Sequence, residues 1–316
     1  MTRLPVSEGP ERLRILERPP PKSAKEMTVS FEYQGRVVRG IDIHTHVPRP
    51  GGLKTDPRAE QKERYFRHTR QSMTVEQMVD LYRRLEMVAI VFDVDMETAA
   101  DDPFVGNDYL AEIQRRYPDV LIAWASVDPH KGRKAVRELE RAVKELGLRG
   151  LKLHPTCQAF YPNDRAFYPL WEKAQELNIP VLFHSGHTGI GAGMPGGTGI
   201  KLKYSQPIPY LDDVAADFPK LAIIAAHPSW PWQEEALSVA LHKANVYLDL
   251  SGWSPKYFSP SLIQYANTLL RDKVLFGSDF PVIDPERWLA DFAAAGFRDE
   301  VRPRIMVENA RRLLGV

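Results

Sequence analysis

From Val37 onward the chain alternates between two patterns. Short runs of apolar residues are separated by longer segments in which apolar positions return with helical spacing. The short runs predict strands at residues 37–43, 87–92, 120–126, 148–153, 179–183, 221–226, 246–250 and 274–276. They are apolar nearly throughout, as expected of strands covered on both faces. The longer segments predict helices at residues 74–85, 108–116, 131–146, 168–177, 231–242, 260–270, 285–294 and 302–314. The first of these opens with Thr74 and, three residues on, Gln77, a capping-box pattern. Strands alternating with helices in this way predict an α/β protein, a single (β/α)8 TIM barrel over residues 36–316, with a doubly wound open sheet as the alternative.

Residues 1–35 stand outside the rhythm. They are polar and charged, with Pro19, Pro20 and Pro21 in succession, and read as an N-terminal arm that packs on the surface or on a partner subunit. The loop after the first strand, residues 47–70, is long, polar and positively charged, and residues 186–199 hold seven glycines. Long loops on one rim of a scaffold usually serve binding.

Composition narrows the function without naming it. The 316 residues carry 42 Lys and Arg against 41 Asp and Glu, a formal charge of +1, so nothing favours a nucleic acid as partner. With 43% hydrophobic and 26% charged residues the chain reads as a soluble globular protein, and no apolar run reaches the length of a membrane span. The N-terminal stretch lacks the apolar core of a secretory signal, and one cysteine, Cys157, cannot form an internal disulfide, so a cytoplasmic location is expected. The expected partners are a small-molecule substrate and further copies of the chain, in a homodimer or higher homo-oligomer.

The candidate chemistry gathers at strand ends. The segment Ile41-Asp42-Ile43-His44-Thr45-His46 closes the first run, and strand alternation turns His44 and His46 to one side, where two imidazoles could grip one metal ion. The fourth run ends Lys152-Leu153-His154, the fifth at His184, the sixth at His227 and the eighth at Ser278-Asp279. In a barrel these carboxyl ends meet on one rim. His187 follows closely after His184, whereas His68, His130 and His242 read as surface or loop residues.

The stretches IDIHTH, GLKLHP, VLFHSG, AAHPSW and LFGSDFP resemble the amidohydrolase superfamily, and within it the amidohydrolase-2 branch that contains aminocarboxymuconate semialdehyde decarboxylase. The resemblance covers about residues 36–316 and implies a metal-dependent barrel. It implies His44, His46, His184 and Asp279 as ligands of one divalent ion, with His227 orienting or deprotonating the metal-bound water, so that His227 and Asp279 are the catalytic candidates. Three imidazoles and a carboxylate suit zinc, with manganese or iron as alternatives. In binuclear relatives a carboxylated lysine at the end of strand four bridges two metals. Lys152 could act so, or could set a positive charge against substrate. His154 stays open between a supporting position, a substrate contact and a structural part.

Weaker signals surround this set. Gly191, Gly193 and Gly196 match a dinucleotide fingerprint by spacing, but the strand has already ended at His184 and Pro195 follows, so no nucleotide cofactor is expected. Lys201 and Lys203 could pair with a carboxylate or phosphate of substrate. His187, Trp230, Trp232 and Trp253 could wall a pocket for an aromatic or acyl group. Cys157 reads as a small apolar residue, and Asp128 before Pro129 as a turn; Asp93 and Asp95 also follow a strand.

Two reactions fit. A metal-activated water could attack a substrate carbonyl. The stretches around GLKLHPTCQAFYPND, HSGHTGIGAGMPGG and HPSWPWQEEAL are similar to hydroxyphenyl-β-ketoacyl-CoA hydrolases, which implies C–C (retro-Claisen) hydrolysis of an aryl β-ketoacyl-CoA. The alternative is non-oxidative decarboxylation of a small aromatic or unsaturated carboxylic acid. A non-catalytic subunit that keeps only the barrel is the third class, and the complete set of ligand-type residues argues against it.

Overall fold

The computed structural model describes residues 29–50 and 73–316. Residues 1–28 of the expected arm, most of the loop at 47–70, and His68 lie outside the described residues. The described chain opens with an antiparallel hairpin, β1 (Phe31–Tyr33) and β2 (Arg36–Val38). Gln34 and Gly35 between them both have positive φ, 48° and 76°, as a two-residue turn matched to strand twist requires. Phe31, inside the stretch read as an arm, is buried, and Arg36 Nη1 donates to the Asp119 carbonyl at 2.9 Å. The hairpin therefore packs under the amino ends of the strands that follow. The strand expected at 37–43 is split by it: residues up to Val38 pair within the hairpin, and β3 (Gly40–His46) starts afresh.

Eight parallel strands follow in two arcs: β3 with β4 (Met87–Phe92) and β5 (Leu121–Ala123), then β6 (Leu151–Leu153), β7 (Val181–His184), β8 (Ile223–Ala226), β9 (Val246–Asp249) and β10 (Val274–Leu275). Each arc runs in chain order. Two seams join them. Ala125 bridges to Leu151, with Lys152 N donating to Ala125 O at 2.8 Å. Thr45 bridges to Phe280, with Ile43 N donating to Phe276 O at 3.0 Å and His46 N to Phe280 O at 2.7 Å. A doubly wound sheet would leave two unpaired edges; here both are paired, so the sheet is a closed barrel.

Helices cover the outside. Val75–Arg84 begins at Thr74, whose hydroxyl accepts from Gln77 N while the Gln77 side chain accepts from Thr74 N, the reciprocal cap expected from sequence. Arg133–Lys144 turns Ala135, Leu139 and Ala142 inward at helical spacing. Two single-turn helices, Glu97–Ala100 and Pro155–Gln158, lie outside the expected ones, as does Tyr210–Asp217, which buries Leu211, Val214 and Ala215 but is only two turns long and follows Pro207 and Pro209. Trp124, Trp171 and Trp288 are fully buried in the core. A second, smaller apolar cluster lies on the carboxyl rim: Val94, Met96 and Cys157, joined by Ile190 and Ile200 from the two ends of the glycine-rich segment. That segment carries only a short turn at Pro195–Gly199, whose Gly196, Gly197 and Thr198 have positive φ, and a 3₁₀ turn, Leu202–Ser205, follows it in place of the helix a dinucleotide site needs after its glycines. No helix among the described residues is long and apolar enough to cross a membrane.

Candidate metal centre

β3 carries Asp42, His44 and His46, and its register against β4 shifts between Asp42 and Thr45. Asp42 is fully buried and accepts four hydrogen bonds: Ser278 Oγ at 2.5 Å, Tyr82 OH at 2.8 Å, Ser278 N at 2.9 Å and His44 N at 3.1 Å. Burial pushes its carboxyl up to about 6, and these donors oppose the rise. Asp42 thus ties the first barrel strand to the segment that delivers Asp279. The tie is completed by Asp279 N donating to His44 O at 2.9 Å.

The result is a tight trio. Asp279 Oδ1 lies 3.3 Å from His44 Nε2 and 3.2 Å from His46 Nε2, and the three ligand atoms are within 4.8 Å of one another. Burial works against the Asp279 charge, yet the His46 hydrogen bond and the nearby His227 and Lys152 hold its carboxyl below the usual range.

Hydrogen bonds fix which nitrogen of each ring is free. His44 Nδ1 lies 2.5 Å from Asp249 Oδ2; with that carboxylate ionised it can only accept, which puts the proton on Nδ1 and leaves the Nε2 lone pair to the trio. Ser251 braces Asp249 with Oγ at 2.7 Å and N at 2.8 Å. This carboxylate–imidazole pair is the arrangement that orients a metal-binding histidine. Burial raises the Asp249 carboxyl to about 7, opposed by the Ser251 bonds and Lys152. A similar chain runs on the other wall. His227 Nδ1 lies 3.0 Å from the Ser251 carbonyl, which accepts, so His227 Nε2 is bare. His184 Nδ1 lies 3.1 Å from that Nε2 and must donate to it, which leaves His184 Nε2 with a lone pair. That atom is buried and without a hydrogen-bond partner. A buried, unpaired lone pair is costly unless something fills it, and a cation is what fits. His184 is not in the trio, however; its nitrogen is farther away than the 4.8 Å that groups the other three.

The rings of His44, His154, His184 and His227 are neutral near pH 7. Burial first, then the Lys152 charge, holds His44 and His154 well below the usual histidine range; burial and neighbouring His154 do the same to His184. Burial lowers His227 to about 4, against the pull of Asp279. Neutral imidazoles bind an ion without first losing a proton. His44, His227 and Asp249 form a second group within 4.8 Å, but the hydrogen bonds through Ser251 already account for their approach.

Backbone shape supports the placement. His227 and Asp279 both have φ of 67°, in the left-handed region that non-glycine residues avoid. Gly277, just before Ser278, has no room for a side chain: a Cβ there would lie 2.3 Å from Asp249 Oδ1 and 3.0 Å from the His44 Cβ.

The remaining sequence candidates divide. Lys152 is buried, its Nζ 3.2 Å from His44 Nε2 and 4.9 Å from the Phe92 ring centre. Burial lowers it to about 8, against the attraction of Asp279 and Asp249. His154 stacks on His184, rings 3.7 Å apart and 11° from parallel, and its Nδ1 accepts from Cys157 N at 3.3 Å. It braces His184 from behind. His187, Trp230 and Trp253 form a chain of rings on the rim, 5.4 and 6.0 Å between successive centres. Trp230 is half exposed, while Lys201 is exposed, and Lys203 lies over the Tyr161 and Tyr204 rings. The geometry does not bring either lysine to the histidines. Asp93 pairs with Arg49 at 3.1 Å, Asp95 with Lys131 at 3.0 Å, and Asp128 caps the turn Pro129–Lys131. Sequence reasoning missed Asp249, Ser251 and Asp42. Asp249 had a visible signal, since it too ends a barrel strand.

A closed (β/α)8 barrel with imidazoles and carboxylates gathered at the carboxyl ends of its strands defines a class of metal-dependent enzymes. The amidohydrolase family model matches residues 41–316, and the chain belongs to that family. Among curated proteins it is 25% identical over 246 residues to the gamma-resorcylate decarboxylase of Polaromonas sp. strain JS666, covering 66% of this chain and 74% of that protein. Solved structures of the same fold include a TIM-barrel protein from Bordetella bronchiseptica, with TM-score 0.71 and 24% identity over 87% of this chain and 98% of that one. Another is a dihydroxybenzoic acid decarboxylase from Polaromonas sp. JS666 with bound manganese and 2-nitroresorcinol, with TM-score 0.61, 20% identity and coverage of 87% and 96%.

Proposed function

We propose that this amidohydrolase-family enzyme is a non-oxidative decarboxylase of a small aromatic or unsaturated carboxylic acid, dependent on one divalent ion. The observation that carries the reaction is the similarity to gamma-resorcylate decarboxylase across two thirds of the chain. It favours the alternative weighed from sequence over hydrolysis of an aryl β-ketoacyl-CoA.

The donor set fits an ion. His44 Nε2, His46 Nε2 and Asp279 Oδ1 converge, and His184 Nε2 is a buried lone pair with no partner. These four would hold it. Imidazole and carboxylate together suit zinc or manganese, and manganese is the metal of the solved decarboxylase. When bound, the ion polarises a substrate oxygen and so accepts the electron density left when carbon dioxide departs. His227 is the residue placed to move a proton. Its Nδ1 is fixed on the Ser251 carbonyl, so the ring keeps its orientation, and its bare Nε2 would take up the acidic proton of the bound substrate and return it to the carbon that lost carbon dioxide. His187, Trp230 and Trp253 would form an aromatic side wall.

The test is direct. Metal-loaded protein is incubated with 2,6-dihydroxybenzoate and a panel of related ortho-hydroxy aromatic acids, and separately with aryl β-ketoacyl-CoA esters. Carbon dioxide and the matching phenol are expected from the first group. Cleavage of the thioesters, with no carbon dioxide from any acid, would overturn the reading.

A further inference from the structure

We infer that Lys152 is a substrate-binding cation: its ammonium receives an anionic oxygen of the substrate beside the ion, and it is not a carboxylated bridge between two metals. This deepens the proposed reaction and rests on it for the identity of the acid.

One lone pair is contested in the site. His44 Nδ1 carries the proton that Asp249 accepts, so His44 Nε2 has a single lone pair. Lys152 Nζ donates to that same atom at 3.2 Å. The lone pair cannot serve both a lysine proton and an ion. Once His44 binds an ion, Lys152 must turn its donors elsewhere; the face of Phe92 lies 4.9 Å away, and Asp279 and Asp249, which attract the ammonium, face the ion as well. The side chain is 1% exposed, so bulk water does not reach it freely. Charge points the same way. Asp279 and Asp249, the carboxylates that attract Lys152, also face the divalent ion, so two negative charges stand against three positive ones. A carboxylate or ionised phenol bound at the ion supplies both the acceptor and the charge.

The bridging alternative needs a second set of ligands, and the nearby histidines are bonded to one another and to the backbone. His227 is bonded through Nδ1 to the Ser251 carbonyl and through Nε2 to His184. His154 Nδ1 accepts from Cys157 N, so its other nitrogen carries the proton and has no lone pair to give.

Two probes without a carboxylate to lose separate the possibilities: 2-nitroresorcinol, titrated where it is an anion, and neutral resorcinol. Their affinities are measured by calorimetry on metal-loaded wild type, Lys152→Met, Lys152→Gln and Lys152→Arg, with metal content determined on each. The expected result is one ion per chain throughout. The wild-type preference for the anion should fall about 10- to 100-fold in Lys152→Met and Lys152→Gln, with resorcinol unaffected and part of the preference kept in Lys152→Arg. An unchanged preference in the neutral variants, or none in wild type, overturns the inference. So does a content of two ions per chain in wild type with a carbamate carbon signal after ¹³C-bicarbonate labelling, a readout that stands even if a variant fails to fold. Carbon dioxide release from 2,6-dihydroxybenzoate is assayed separately. Anion preference without release would sink the decarboxylase reading and leave Lys152 in place; release without preference would do the reverse.

Discussion

At the scale of single residues, the site works through the hidden nitrogen of each imidazole. Asp249 and the Ser251 carbonyl fix the Nδ1 protons of His44 and His227, and so decide which lone pairs face the centre. His44→Ala and Asp279→Ala should therefore empty the site, read as loss of the ion by elemental analysis. Asp249→Asn keeps the volume but cannot enforce the same proton position; metal affinity should fall about 10- to 100-fold, measured by competition with a chelating dye. His227→Asn should keep the ion yet slow turnover by about 100- to 10,000-fold, as loss of a proton-transfer group does. If it also loses the ion, His227 is a ligand and the one-ion assignment fails. The histidines and Asp279 could be picked out from sequence because each closes an apolar run. Asp249 closes a strand in the same way and was overlooked. Asp42 could not be assigned, since a buried aspartate is recognised by its donors and those come from Ser278 and Tyr82, far along the chain.

At the scale of elements, helix caps and strand ends were legible because their rules are local. Thr74 and Gln77 form the cap their spacing announces, and Thr74→Ala should cost about 1 kcal/mol, measured by denaturant unfolding. The hairpin and the two-turn helix Tyr210–Asp217 were not legible, since both are too short to show a period and are held by burial against the barrel. Close packing at strand starts is likewise invisible in the sequence. A Cβ on Gly150 would lie 2.3 Å from the Trp124 ring, just before the strand that carries Lys152. Gly150→Ala should destabilise by about 1–3 kcal/mol or more, read as a lower unfolding midpoint.

At the scale of the whole molecule, the ion and the fold are coupled. The trio spans β3 and the end of β10, the first and last barrel strands, so a bound ion reinforces the seam that closes the ring. Stripping the metal with a chelator should lower the melting temperature, and restoring free ion at 100 times its dissociation constant should return about 2.7 kcal/mol. A melting curve that ignores metal would mean that the ion is not held by the folded site.

Sequence alone determined the run of eight strands and their helices, and with them which histidines and which aspartate stand at strand ends, because both follow from side-chain periodicity within a few residues of chain. Only the tertiary structure decided that the sheet closes rather than stays open, that Asp42 and Asp249 stand behind the ligands, and that Lys152 shares a nitrogen with His44. Those facts depend on hydrogen bonds between residues more than a hundred positions apart, and no local pattern encodes the meeting of the first strand with the last.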